Sequence, residues 1–256
     1  MTFTGLVGTV CMFPLRAIIA TSVALGIHPN VLTLIGVILN VAAAWALGVD
    51  RFVVGGLFMI AANIFDFIDG KVAQLTHTSS QFGAFWDSTL DRFSDLSLFL
   101  GLIYLYATLQ RTDYVMVAAL AMMFSIMTSY ARARAESLID KCKVGFMERP
   151  ERIVLFMIGA FTDRMAGVLW VILVLSVVTV INRMHFTYLA LNHRAMPSGS
   201  NPAARAFWRA FFWRDERTTV PYDAWVIAIL AFVWLTPPDW LADPTAIGAG
   251  LWALLQ

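Results

Sequence analysis

Charge is what this sequence has least of: 14% of its 256 residues are Asp, Glu, Lys or Arg, where a water-soluble domain carries about a quarter. The two signs nearly cancel, at a formal net charge of +1, which removes the basic excess expected of a nucleic-acid binder. Cysteine is scarce too. Cys11 and Cys142 fit neither a disulfide framework nor a zinc pattern, and both read as small buried hydrophobes. The four histidines, His28, His77, His185 and His193, share no ligand spacing, and there is no internal repeat or low-complexity tract. What fills the chain is apolar: 59% of residues are hydrophobic, with 19 Phe and 9 Trp. That composition excludes disorder and a soluble globule, and its long apolar runs predict an all-α, polytopic integral membrane protein.

A helix crossing the hydrocarbon core needs about 20 mostly apolar residues. Such runs cover 31–49, 52–68, 82–109, 115–139, 153–161 and 165–181, predicting a six-helix transmembrane core. The fifth is short and is expected to begin earlier, near Glu148; Asp163 and Arg164 make a tight polar turn into the sixth. Residues 3–25, with Gly5, Gly8, Pro14 and Arg16, suit an interfacial helix or a further span, and lack the basic start of a cleaved signal peptide. Arg51, Arg111 and Arg164 lie on one side of the spans and the other fifteen Lys and Arg on the opposite side. The crowded side is therefore expected to face the cytoplasm, in the cell membrane. Residues 1–193 read as the membrane domain. After His193 comes a C-terminal extension, 194–256, made of a basic linker and one or two apolar segments, with 222–240 a candidate span. Within it Arg205, Trp208, Arg209, Phe211, Phe212 and Trp213 suit an interfacial amphipathic helix.

The residues that carry chemistry lie between Asn63 and Asp95. Asp66 and Asp69 are three apart at the cytoplasmic end of the second span; Asp87 and Asp91 are four apart at the start of the third. Each pair shares one helix face, so two antiparallel neighbours can aim four carboxylates into one pocket. Unpaired there, they would repel each other and resist desolvation. Hard divalent cations with oxygen ligands, Mg²⁺ or Mn²⁺, answer that need, and four carboxylates suit two ions that clamp a diphosphate. Gly70 after Asp69 and Gly83 before Asp87 remove side chains where a nucleotide or a helix backbone comes close. The competing reading is a structural cluster or a proton relay in a non-catalytic, metal-binding transporter, which gives no reason for the glycines at these offsets.

These residues resemble the signature of the CDP-alcohol phosphatidyltransferases, D-x-x-D-G-x-x-A-R-x8-G-x-x-x-D-x-x-x-D. Asp66, Asp69, Gly70, Ala73, Gly83, Asp87 and Asp91 match it with every spacing kept. Gln74 stands where the pattern has Arg, and Lys71 is a nearby cation. The resemblance extends over roughly residues 10–190 and includes Pro29, Asn30 and Thr33 ahead of the first span. It implies that Asp66, Asp69 and Asp87 bind two metal ions and that Asp91 completes the second site. Asp91 would also be the catalytic base that takes the proton of an acceptor hydroxyl. That hydroxyl attacks the β-phosphate of a CDP-lipid such as CDP-diacylglycerol, and CMP leaves. Asn30, Thr33, Asp69, Gly70, Ala73, Gln74, Gly83 and Asp87 would form the nucleotide site, and the resemblance implies a homodimer among membrane lipids.

Arg132, Arg152 and Arg183 come from three spans toward one interface, and together suit a phosphate on the acceptor; lipid-headgroup anchoring is the other reading of the same cations. The arrangement is similar to the phosphatidylinositol-phosphate synthase branch, as is the run Glu148, Arg149, Pro150, Glu151, Arg152. That branch implies a polyol phosphate such as inositol phosphate as acceptor. Glycerol 3-phosphate (a phosphatidylglycerophosphate synthase-like activity), free inositol and other polyols stay open. Asp95, one turn beyond Asp91, is expected to pair with Arg92. Arg134, Glu136, Glu148 and Glu151 are divided between helix-end salt bridges and support of catalysis.

Overall fold

The structure, a computed structural model, describes residues 15–197, 200–213 and 219–245. Among these it is helical, with no strand. The helices are α1 (Leu15–Ala24), α2 (Pro29–Gly48), α3 (Phe52–Leu75), α4 (Gln81–Thr108), α5 (Thr112–Glu136), α6 (Arg149–Thr162), α7 (Met165–Leu191), α8 (Pro202–Phe212), α9 (Val220–Leu235) and α10 (Pro238–Leu241). Helix starts follow local chemistry. His28 caps α2 by accepting the Asn30 N–H, with Pro29 in the first turn, and the Ser80 hydroxyl accepts the Gly83 N–H to start α4. Asp163, in the left-handed conformation at φ 53°, ends α6 and allows the turn into α7.

Each of the six runs read from hydropathy falls mainly on one of α2 to α7, the fourth, 115–139, overrunning the end of α5 at Glu136. The polar ends extend further than hydropathy reaches: α3 continues to Leu75 and α7 to Leu191. At 27 residues α7 is about 40 Å long, more than the ~30 Å hydrocarbon core. By length and composition α2, α3, α5 and α7 can each cross a bilayer. The 28-residue α4 carries Asp87, Asp91, Arg92 and Asp95 within its first fifteen residues, and α6 has 14 residues. The chain is a multi-pass membrane protein, and exposed apolar side chains such as Trp45, Leu57, Leu100 and Tyr104 cover its outside.

The main packing pairs are α2 with α3 and α4, α3 with α6, α6 with α7, α7 with α5, and α5 with α4, which closes a ring of six helices. Met59, Leu98, Phe99, Leu102, Phe156 and Leu169 fill it, with Phe99 and Phe156 edge to face at 5.0 Å. The α2–α4 crossing is close: a Cβ at Gly101 would lie 2.1 Å from the Ala44 carbonyl oxygen. Because successive helices along the chain alternate in direction, the ring gathers the starts of α2, α4 and α6 and the ends of α3, α5 and α7 at one end. Charged residues of α3 to α7 meet there, beside Thr33 of α2.

Outside the ring, α1 packs through Ile19 against Leu32, Ile68 and Val72; residues 3–14 of the expected N-terminal helix, and Cys11, lie outside the described residues. Cys142 is fully buried beside Ala135 and Val144, and burial pushes its thiol up, in keeping with a small core hydrophobe. In the C-terminal extension α9 has 16 residues and ends at Leu235, before Pro237 and Pro238, so it is shorter than the candidate span over 222–240. Residues 246–256 are outside the described residues.

Candidate active site

Asp66 and Asp69 project from α3 toward Asp87 of α4, and these three carboxylates bring one oxygen each within 4.8 Å of one another. Asp69 is buried and accepts a 2.5 Å hydrogen bond from the Thr33 hydroxyl of α2, which aims it at the cluster. Among the described residues no basic side chain pairs with Asp69 or Asp87. Three convergent hard oxygen donors, two of them with no salt bridge among the described residues, fit a divalent cation of the Mg²⁺ or Mn²⁺ type.

The motif residues beside the cluster leave room. A Cβ on Gly70 would meet nothing within 4 Å, so the backbone after Asp69 borders open space. A Cβ on Gly83 would come within 3.2 Å of the Ser80 hydroxyl and 4.0 Å of the Asn30 side-chain oxygen, which brings the starts of α4 and α2 together. Ala73 and Gln74 occupy the last turn of α3, with Gln74 exposed.

Asp91 stands apart from the three. Its Oδ1 lies 3.0 Å from Arg149 Nη1, which also donates to Asp66 Oδ2 at 2.6 Å. Arg149 Nε lies 3.4 Å from Asp95 Oδ1. The sequence assigns Arg149 no part in the site; its three-residue spacing from Arg152, on one face of α6, is the signal for one. Asp95 does not pair with Arg92 as expected. It is buried and takes Arg152 Nη2 at 2.5 Å, while Arg92 stays near Asp91 at 3.7 Å. A turn along α4 points Asp95 into the ring toward α6, while Arg92 lies at the edge of the cavity described next.

Beside Asp91 a cavity of about 370 Å³ opens between α4, α5, α6 and α7, a volume typical of small-molecule sites. Arg132, Arg149, Arg183 and Glu148 line it. Arg132 Nη1 and Arg183 Nη2 donate to the same oxygen of Glu148, at 2.8 and 3.0 Å. Arg183 is buried and also donates to the carbonyls of Thr128, at 2.5 Å, and Val144, at 3.1 Å. Two of the three arginines read as acceptor ligands therefore meet here. Arg152 is not among the residues lining the cavity: it is 2% exposed and held by Asp95 and by the Thr128 hydroxyl, at 3.3 Å. Glu136 pairs with Arg132 at 3.1 Å, Arg134 donates to the Ser137 hydroxyl at 3.2 Å, and buried Glu151 accepts from the Tyr222 hydroxyl at 2.9 Å.

A helical membrane ring with a carboxylate cluster beside open space at Gly70, and a cationic cavity next to it, defines an enzyme that transfers a substituted phosphate group. Residues 26–182 match the CDP-alcohol phosphatidyltransferase family, and the chain belongs to it. It is 34% identical over 173 residues to the archaetidylinositol phosphate synthase of Pyrococcus horikoshii, covering 67% of this chain and 89% of that protein. Against the phosphatidylinositol phosphate synthase of Mycobacterium bovis it is 33% identical over 190 residues, covering 67% and 86%. Two crystal structures of the Mycobacterium tuberculosis phosphatidylinositol phosphate synthase resemble it. The form with CDP-DAG bound has a TM-score of 0.64 at 26% identity, covering 74% of this chain and 96% of that one. The form in complex with manganese and citrate has a TM-score of 0.65 at 28% identity, covering 73% and 96%. The chain is a CDP-alcohol phosphatidyltransferase, a transferase of phospholipid biosynthesis.

Proposed function

We propose that this enzyme joins a polyol phosphate, of the inositol phosphate kind, to the phosphatidyl group of a CDP-lipid. One observation carries the reading: Arg132 and Arg183, from two helices, converge on a single Glu148 oxygen in the cavity beside Asp91. Two guanidinium groups already gathered around one anionic oxygen are arranged to receive phosphate oxygens. Arg149 and Arg152 add positive charge behind them. The names of the relatives, both inositol phosphate-type synthases, support the same acceptor class.

In this mechanism Asp66, Asp69 and Asp87 would hold one Mg²⁺ or Mn²⁺, and Asp91 would join them in holding a second. Bound there, the ions supply positive charge to the diphosphate of the donor. Gly70 and Gly83 leave backbone rather than side chain beside the nucleotide, and Asn30 and Thr33 brace that side, Thr33 through Asp69. Arg132 and Arg183 fix the acceptor by its phosphate, which sets a hydroxyl next to Asp91. Asp91 takes the hydroxyl proton as its oxygen bonds to the β-phosphorus; the bond from that phosphorus to the bridging oxygen breaks, and CMP leaves with the oxygen. All six ring helices traverse the bilayer in this reading, α4 and α6 shielded by their neighbours. The site opens to the cytoplasm of the cell membrane, as the fifteen-to-three distribution of Lys and Arg favours.

The test is CMP release by purified protein from CDP-diacylglycerol with inositol phosphate, free inositol or glycerol 3-phosphate. Inositol phosphate is expected to give the highest kcat/KM. Equal use of free inositol would remove the phosphate pocket and keep the transferase.

A further inference from the structure

The family match ends at residue 182, and 74% of this chain spans 96% of the CDP-DAG-bound neighbour. Helices α8 and α9 are therefore additions to the shared part, yet they reach the acceptor side of the site. Residues 137–148 link α5 to α6 and end on Glu148, the carboxylate that gathers Arg132 and Arg183. An irregular linker of this length loses much conformational entropy when it is held in one shape. Gly145 adds to that cost. It sits at φ +92°, and a Cβ there would lie 2.5 Å from Thr179 Cγ2, so only glycine fits.

Several ties hold this linker. Within the core, the Met147 N–H donates to the Thr179 hydroxyl at 3.1 Å and the Cys142 N–H to Glu136 at 3.2 Å. The others come from the extension. The Gly145 N–H donates to the Phe212 carbonyl at 3.1 Å, and the Phe146 ring packs edge-on against Trp213 at 4.5 Å and beside Tyr222 at 5.8 Å. Asn182 of α7 donates to the Phe211 carbonyl, anchoring the end of α8. On the far side of Glu148, the Tyr222 hydroxyl donates at 2.9 Å to Glu151, which is 9% exposed and lies on α6 between Arg149 and Arg152. The extension thus grips the chain both before and after Glu148.

We propose that α8 and α9 position the acceptor pocket: Trp213 through Phe146, and Tyr222 through Glu151, hold Glu148 where Arg132 and Arg183 meet it. This rests on reading that pocket as the acceptor site. Tyr222 is a positioning residue, since its hydroxyl reaches Glu151 rather than any reacting group. On the donor side Asp69 and Asp87 make no tie to this segment and Asp66 meets it through Arg149, so the larger effect falls on the acceptor.

The test uses full-length protein in detergent with CDP-diacylglycerol and inositol phosphate. Tyr222→Phe keeps the ring and removes the hydroxyl; acceptor KM is expected to rise about tenfold while donor KM stays within about twofold. Glu151→Gln, which keeps an oxygen for the hydroxyl, should stay near the wild-type acceptor KM. Trp213→Leu, which loosens the Phe146 contact, is read for the same split and serves if Tyr222→Phe does not fold. Unchanged KM values, or both rising together, overturn the proposal. Arg132→Gln separates the two layers. If it raises acceptor KM while Tyr222→Phe and Trp213→Leu do not, the pocket stands and the clamp falls; if it leaves acceptor KM alone, both fall.

Discussion

Arg149 and Asp91 form a 3.0 Å ion pair at the border between the aspartate cluster and the cationic cavity. The same guanidinium nitrogen reaches Asp66 at 2.6 Å, so one cation spans the two carboxylates that flank the position of a second metal ion in the proposed mechanism.

Removing that cation leaves Asp66 and Asp91 to repel each other in a partly buried site. Arg149→Ala is expected to lower the stability of metal-free protein by about 3 kcal/mol, the scale for breaking a buried pair. Added Mn²⁺ should then raise Tm more in the variant than in the wild type, because the ion takes over the charge that Arg149 supplied. Thermal melting in EDTA and in Mn²⁺ reads this directly, and equal Mn²⁺ shifts in the two proteins would count against it.

Of the four motif aspartates, Asp91 is the one that lines the acceptor cavity, and as the base it should matter to transfer more than to donor binding. Asp91→Asn is expected to keep a thermal shift with CDP-diacylglycerol and to lose about 10²-fold or more in turnover. EDTA should abolish wild-type turnover, and Mg²⁺ or Mn²⁺ should restore it. Full activity in Asp91→Asn would take this residue out of the mechanism.

Arg132 and Arg152 should separate in their effects. Arg132 lines the cavity, and a charge-assisted contact contributes about 1.5 to 3 kcal/mol, so Arg132→Gln should raise acceptor KM by roughly ten- to a hundredfold. Arg152 is buried against Asp95, so Arg152→Ala should lower Tm strongly and change acceptor KM by less than about threefold. The reverse pattern would mean that Arg152 turns into the cavity when substrate binds.

The α2–α4 crossing has no room for a side chain at Gly101, where a Cβ would meet the backbone of Ala44. Gly101→Val is expected to destabilise the protein by at least the ~1–3 kcal/mol typical of overpacking. Lower Tm and lower yield from the membrane are the readouts. A wild-type Tm would mean that the two helices are free to separate.

Much of the site could be read before any coordinates. Asp66, Asp69, Asp87 and Asp91 were identifiable because spacings of three and four determine which side chains share a helix face, whatever the surroundings. The apolar runs located α2 to α7 for a similar reason, since a bilayer rewards length and composition locally. Arg149 and Asp95 escaped. Their partners lie 83 residues away, at Asp66, and 57 residues away, at Arg152, and nothing in local spacing says which helices become neighbours.

By itself, then, the sequence determined that this chain enters a membrane, that its second and third long helices carry metal-type carboxylates, and that its signature belongs to one family of transferases. These properties depend on composition and on the helical repeat, both of which act within a few residues. Only the tertiary structure decided that Arg149 bridges Asp66 and Asp91, that Arg152 is buried against Asp95 rather than open to the cavity, and that Tyr222 of the extension reaches Glu151. Those pairings depend on how six helices rotate and cross as they close a ring. A rotation of one residue, about 100° on a helix, would exchange a buried partner for an exposed one.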